Sequence, residues 1–442
     1  MSITNFAHWI LPNPRPWLNF TLKGGSAASP PQPFGAEQSD LRGLHPTVVE
    51  LQAIIEDDPE IWVLLHKAFE QIPTTKSPQL DPLGRQLIHD YPSLLRALDA
   101  ALKTPPSYPG PGKILMGLPF GSVLNALMGT VSGAAFFLNT KVTQQFDRIL
   151  SAWAEFLTTE ASTIVLNDSD KGWFGHTAHS VMLRDGETRF EDEFECDPTR
   201  PHYGYVSWDT FFTRSFRPGR RPIAAPDDDA VIVNACESAP FRLAREVRLR
   251  DSFWLKSPQP YSLRHMLASD EATDQFVGGT IYQAFLSSET YHRWHSPVAG
   301  RVVRVRVIPG TCFSKAVDHS ASAAAATGQV MFDATDPMES QAYITAVSSR
   351  ALIFIQADNK DIGLMCVMPV GMGECASCDV WVKEGQRLEK GQQLGTFHFG
   401  GSTHCLFFRP GVRLDFDLRG QQPGPKASII PINSRIATVI NE

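Results

Sequence analysis

The sequence predicts an α+β protein in which a helical unit precedes a β-rich one. Three observations carry this. Apolar residues recur at helical spacing through roughly the first 160 residues, the apolar period shortens to two from about Val231, and Gly and Pro punctuate the second half at strand-length intervals. A chain of 442 residues with 43% hydrophobic content has room for two or three cored domains. The expected division is a loosely ordered arm over 1–40, a helical accessory domain over 41–200 and a β-rich domain over 201–442.

The arm is expected because residues 11 to 40 hold Pro-Pro, Gly-Gly and a Ser/Ala cluster with little periodic hydrophobicity. Val48, Leu51, Ile54 and Ile55 then mark a first helix. Asp58-Pro59 reads as an N-cap with proline at the first helical position, opening a second helix through Ile61, Leu65, Phe69 and Ile72. Leu87, Tyr91, Leu94, Leu95 and Leu98 make a third stripe before the proline-rich break Thr104 to Gly112. Val142, Phe146, Ile149, Leu150, Trp153 and Leu157 make the clearest one. In the second half, Arg304-Val305-Arg306-Val307 alternates, and the runs Ala351–Gln356 and Ile362–Met368 flank a turn at Asp358-Asn359-Lys360-Asp361, the pattern of antiparallel strands. Ala321 to Asp336 reads as an inserted loop.

Forty Lys and Arg against 47 Asp and Glu leave a formal charge of −7, which gives nucleic-acid binding by phosphate attraction little support. Seven cysteines, odd in number and widely spread, argue for a reducing, cytoplasmic setting rather than a disulfide scaffold. Met1 to Phe20 lacks the basic and apolar regions of a signal peptide. Ile114 to Thr140 is free of charge and long enough to span a bilayer, but Pro119, Asn125, Thr130, Ser132 and four glycines interrupt it. A buried small-residue helix or loop pair is the expectation, and a membrane role is not.

Three segments could carry chemistry. Tyr291-His292-Arg293-Trp294-His295-Ser296-Pro297 places two imidazoles three residues apart, suited to moving protons near neutral pH; alone, such a pair is more often structural or half of a metal site. Phe397-His398-Phe399-Gly400-Gly401-Ser402-Thr403 puts small residues ahead of a serine; its bland reading is a tight turn closing a hairpin. Phe211 to Ile223 holds Arg214, Arg217, Arg220 and Arg221, an anion clamp or, more commonly, a solvated cluster. Cys375-Ala-Ser-Cys378 lacks a second pair and reads as two thiols beside a core strand.

Together these segments resemble the pyruvoyl-dependent phosphatidylserine decarboxylase family. The family's Phe-Phe-x-Arg…Arg-Pro-Ile segment looks like Phe211 to Ile223, its Tyr-His-Arg-x-His-x-Pro block like Tyr291 to Pro297, and its glycine-rich cleavage segment like Gly391 to Thr403. The resemblance spans about residues 203 to 440. Ile54-Ile55-Glu56-Asp57-Asp58-Pro59, Asn234-Ala235-Cys236-Glu237-Ser238 and Ala357-Asp358-Asn359-Lys360 are similar to the soluble fungal branch, which includes the L-tryptophan decarboxylases of psilocybin biosynthesis.

The resemblance implies that Ser402 attacks the carbonyl of Gly401, that the chain cleaves between Gly401 and Ser402, and that residue 402 becomes a pyruvoyl group, with no pyridoxal phosphate or metal. It implies His295 as the base toward Ser402 and His292 as the acid in decarboxylation. Glu237 is the choice for the carboxylate behind His295, although the phosphatidylserine enzymes carry Asp-Gly where this chain has Glu237-Ser238; Asp358 is the alternative. It further implies a small amino acid as substrate, aromatic with tryptophan first, and two cleavage fragments that stay associated. Phosphatidylserine decarboxylation and an unprocessed binding protein are the rivals. A carrier-like barrel is a weaker thought, since His295 to Val302 and Val382 to Gly391 have the look of its two half-motifs but lack the modifiable lysine.

Overall fold

The computed structural model describes residues 43–72, 88, 90–108, 110, 118–183, 188–251, 261–314, 340–374, 377–399 and 402–440. The expected arm, the Ala321 to Asp336 loop, Leu87, Cys375 and Gly401 lie outside the described residues. The helices begin where capping chemistry starts them. Helix α1 (Pro46–Asp57) follows His45, whose ring accepts the Thr47 N–H, and α2 (Pro59–Gln71) follows Asp58, whose carboxylate accepts the N–H groups of Glu60 and Ile61. A capping box of Asp90 and Ser93 opens α3 (Tyr91–Ala101).

The charge-free stretch forms two short helices, α4 (Pro119–Met128) and α5 (Val131–Leu138), as its interruptions predict. Thr130 caps α5 by accepting the Gly133 N–H; a Cβ on Gly133 would stand 1.9 Å from the Leu127 carbonyl oxygen, so only glycine fits the bend. Among the described residues no helix is long and apolar enough to cross a membrane. The long α6 (Thr140–Leu157), capped by Asn139, buries Val142, Phe146, Ile149, Leu150, Trp153 and Leu157, the stripe read from the sequence. Shorter helices α7 (His176–Leu183), α8 (Phe190–Glu193) and α9 (Trp208–Phe212) complete an aromatic-rich core, which also takes in Phe313 and Phe399 from the β-rich half.

The strands are β1 (Val231–Val233), β2 (Ala239–Ala244), β3 (Thr280–Leu286), β4 (Arg293–His295), β5 (Gly300–Ile308), β6 (Arg350–Ala357), β7 (Leu364–Gly371), β8 (Ser377–Val380), β9 (Arg387–Leu388), β10 (Gln393–His398), β11 (Ser402–Phe408), β12 (Leu414–Phe416) and β13 (Arg435–Val439). A seven-stranded antiparallel sheet runs β2-β3-β11-β7-β6-β5-β9, with two three-stranded sheets, β4-β10-β8 and β1-β13-β12. This is the α+β architecture that the two periodicities predict. The β6–β7 turn lies where expected, held by Asn359 Oδ1 accepting the N–H groups of Asp361 and Ile362. The carrier-like half-motifs meet through β5 and β9, where Gly300 faces Leu388.

Two bland expectations are corrected. β10 and β11 do not pair, so Phe399 to Gly401 connects two different sheets rather than closing a hairpin. The arginine cluster is not a solvated patch. Arg214 is buried, Arg217 donates to the carbonyls of Glu191 and Cys196, and Arg221 is ion-paired with Glu193 and Glu237.

Candidate active site

Ser402 is the first residue of β11, a central strand whose partners at that rung are Leu286 of β3 and Gly371 of β7. Alternation puts Ser402, His404, Leu406 and Phe408 on one face, against the core that holds Trp294 and Phe397 of β4 and β10. Ser402 is fully buried and its Oγ has no hydrogen-bond partner. A buried hydroxyl left unpaired costs about 1–3 kcal/mol, so its retention here points to reactivity rather than packing.

His292 immediately precedes β4 and His295 ends it; β4 pairs with β10, and three residues separate β10 from Ser402. His292 is fully buried, and its ring stacks on Phe212 of α9 with centroids 4.1 Å apart. Its Nδ1 sits 2.9 Å from the Thr290 carbonyl, which fixes Nδ1 as the donor and leaves Nε2 as a lone pair without partner. Burial, helped by the Arg214 charge, pushes its pKa down to about 3. His295 Nε2 lies 3.1 Å from the Tyr291 hydroxyl, while Nδ1 has no partner in hydrogen-bonding geometry. Burial lowers its pKa to about 4, against the opposing influence of Asn433, the Gly391 backbone and the Glu237 charge. Gly391 has φ +78°, and a Cβ there would come 2.5 Å from Ile223 Cδ1; the glycine lets this turn close beside His295.

Glu237 is almost fully buried. Arg221 grips it with Nη2 at 2.9 Å, and its Oε2 accepts the Ile432 N–H at 2.7 Å. Arg221 bridges onward to Glu193 of α8 and lies over the Phe216 ring, 4.1 Å from its centroid. Asp358 is elsewhere. It forms a surface ion pair with Arg387 at the far end of the β6–β7 hairpin from Gly371, about nine residues and so about 30 Å of strand away from the Ser402 rung. The structure links His295 to Tyr291 and Glu237 to Arg221, buries Ser402 and His292 each with an unpaired polar atom, and holds Asp358 in a surface ion pair; Gly401 lies outside the described residues.

Sequence reasoning missed Tyr291 and Arg221 as members of this site, although both stand inside the motifs singled out. A small cleft opens beside them, lined by Met182, Phe194, Phe216, Glu237, Glu289 and Tyr291 among others. His404, two residues along β11 from Ser402, is a third buried imidazole. Neither of its ring nitrogens has a partner, and burial holds its pKa at about 3. Across the site boundary His398 behaves oppositely. Burial works to lower its pKa, but Asp209 at 2.8 Å from Nδ1, together with Asp379, outweighs this and raises it. Among the described residues no group of three or more His, Cys, Asp and Glu could hold a metal ion.

These shifts predict an acid-labile fold. For His292, His295 and His404 the folded pKa lies below the unfolded value of about 6.5, so the unfolded chain takes up protons first. Their contribution is intact above pH 6.5 and is lost as pH falls towards 4, about 2 kcal/mol from His295 alone at pH 5. Urea midpoints of Ser402→Ala should fall well below their pH 7 value at pH 5; a flat profile would contradict this burial.

A family model described as phosphatidylserine decarboxylase matches residues 208–428, and a second with the same description matches 45–182. Decarboxylase iboD of Amanita muscaria is 41% identical over 306 residues, 68% of this chain and 86% of that protein. This chain belongs to the phosphatidylserine decarboxylase family. L-tryptophan decarboxylase of Psilocybe cubensis is 32% identical over 406 residues, covering 90% of this chain and 87% of its own length. Its counterpart in Psilocybe cyanescens is 34% identical, covering 73% of this chain and 74% of its length. The chain is accordingly a carboxy-lyase of a family that is in general pyruvoyl-dependent. More distant relatives carry the name phosphatidylserine decarboxylase proenzyme, among them one from Schizosaccharomyces pombe at 26% identity over 57% of this chain and 24% of that protein.

Proposed function

We propose that this protein is a self-maturing decarboxylase of an aromatic L-amino acid, tryptophan first, acting in the cytoplasm. The observation that carries the reading is Ser402, a buried and unpartnered hydroxyl directly after two glycines, on the strand that follows β10, the partner of the β4 strand ending at His295. The name L-tryptophan decarboxylase on relatives that align with most of the chain supports the substrate.

In maturation His295 takes the Ser402 hydroxyl proton, and Oγ attacks the Gly401 carbonyl carbon, exchanging the peptide bond for an ester and freeing the α-amine of residue 402. Glu237, held by Arg221, steadies the positive charge that His295 gains. Loss of the α-proton of residue 402 then breaks the ester's Cβ–O bond. Gly401 leaves as a carboxylate, and one water replaces the amine nitrogen, which departs as ammonia. The residues present fit the product, since Ser402 is its precursor and is buried with its Oγ unpaired.

When formed, the pyruvoyl group supplies an electron sink for the pair released as CO₂ departs. His292 holds its lone pair at Nε2, ready to take up a proton and return it to the substrate carbon. The cleft beside Tyr291 and Glu237 admits the amino acid. The fragments stay together because β11, from the smaller one, lies between β3 and β7 of the larger.

The test is the denatured intact mass of wild type beside Ser402→Ala, each treated with a carbonyl-reactive probe. Wild type should give two fragments meeting at Gly401 and Ser402, the smaller one labelled, and Ser402→Ala one unlabelled chain. CO₂ release is then compared for tryptophan and phosphatidylserine. Release from the lipid alone would replace the amino-acid substrate, and a full-length unlabelled wild type would favour a binding role.

A further inference from the structure

The residue ahead of Gly400-Gly401-Ser402 has an unusual backbone. Phe399 adopts φ +62°, the left-handed region that bulky side chains avoid because Cβ crowds the following carbonyl. Such a conformation persists only where the surroundings over-determine it. Those surroundings come from the helical unit. The Phe399 ring is buried with its centroid 5.5 Å from Trp153 of α6 and 6.5 Å from Trp208 of α9.

Both tryptophans are themselves fixed. Trp153 is fully buried, donates its indole N–H to the Thr104 carbonyl at 3.0 Å, and meets the Phe120 ring edge-on at 5.3 Å. Trp208 stacks on Phe212, and Phe212 on His292. The neighbouring crossover from β7 to β8 is held by the same unit, for Glu374, fully buried just past β7, accepts the Gly121 N–H in the first turn of α4 at 2.7 Å. The helical unit thus grips the chain on two of the paths that pass between the sheets beside Ser402, β10 to β11 and β7 to β8.

We propose that the helical unit is a clamp for self-cleavage, with Trp153 and Trp208 as positioning residues that hold Phe399 left-handed and so set the path of the chain into Gly400, Gly401 and Ser402. This rests on the self-maturation reading above. The clamp takes no part in bond making. Its role is to keep the Gly401 carbonyl within reach of Ser402 Oγ, the orientation on which an intramolecular attack depends.

Comparing alanine with glycine at 399 separates backbone from packing. Phe399→Ala loses the ring yet keeps a Cβ that resists positive φ; Phe399→Gly loses the ring and adopts positive φ freely. The full chain is made by cell-free synthesis, and its conversion to fragments is followed by intact mass after synthesis is stopped. Phe399→Ala should cleave more slowly than wild type, and Phe399→Gly should recover about tenfold over alanine. On a Trp153→Leu background, which releases the ring, cleavage should slow, and adding Phe399→Gly should again outpace adding Phe399→Ala. Simple loss of packing predicts the reverse order, since glycine loosens a chain more than alanine does. Alanine cleaving as fast as glycine, or faster, overturns the clamp while leaving self-maturation intact. A wild-type chain that never cleaves overturns both.

Discussion

His292→Ala should mature normally and then fail to turn over. The imidazole stacks on Phe212, and its hydrogen bond to Thr290 spends Nδ1, so Nε2 is the nitrogen left to carry a proton. In the proposed maturation serine activation falls to His295, whose ring is oriented separately by Tyr291. A positioned acid–base group contributes about 10²- to 10⁴-fold, so the variant should show both fragments by mass, a labelled smaller fragment, and CO₂ release at least 100-fold below wild type. His295→Ala should instead stay full length. If His292→Ala also fails to cleave while remaining folded, the two histidines do not divide the work as argued.

The second large effect is on stability. Arg221→Met removes the guanidinium that pairs with Glu237 at 2.9 Å and leaves Glu193 with Arg220 at 3.8 Å. Leaving one member of a buried pair behind costs about 3–5 kcal/mol, because the remaining charge keeps its desolvation penalty and loses its compensation. In the Ser402→Ala background, where every molecule is one chain, the urea midpoint should drop accordingly. Adding Glu237→Gln should recover much of the loss, since the amide oxygen can still accept the Ile432 N–H without carrying charge. A second substitution that makes matters worse would place the value of Arg221 in its packing on Phe216 instead.

The local parts of this design were legible in the sequence. Asp58-Pro59 announces α2 through its own capping atoms, the β6–β7 turn is written in Asn359, and the alternation beginning at Val231 does start a strand. The pair His292 and His295 was visible as a motif because three residues suffice to define it. What stayed hidden depends on long-range pairing. Nothing near Arg221 says that it reaches Glu237 and Glu193, and nothing near Gly400 says that β10 and β11 belong to different sheets. That Asp358, the alternative to Glu237, sits at the far end of a hairpin from Gly371 is visible only in the register. Phe399 gave no signal at all, since a left-handed phenylalanine is imposed by its neighbours and not by its own preference.

The central position of β11 reaches beyond holding fragments together. Before cleavage the chain folds as one molecule, and the strand finds its slot between β3 and β7 by an intramolecular search. After the proposed cleavage the same strand would belong to a separate polypeptide, so refolding would become a meeting of two molecules whose success depends on concentration. The cut therefore acts as a ratchet. A cleaved enzyme that unfolds in dilute solution has lost its way back, and its working lifetime is set by how slowly the sheet opens rather than by the depth of an equilibrium.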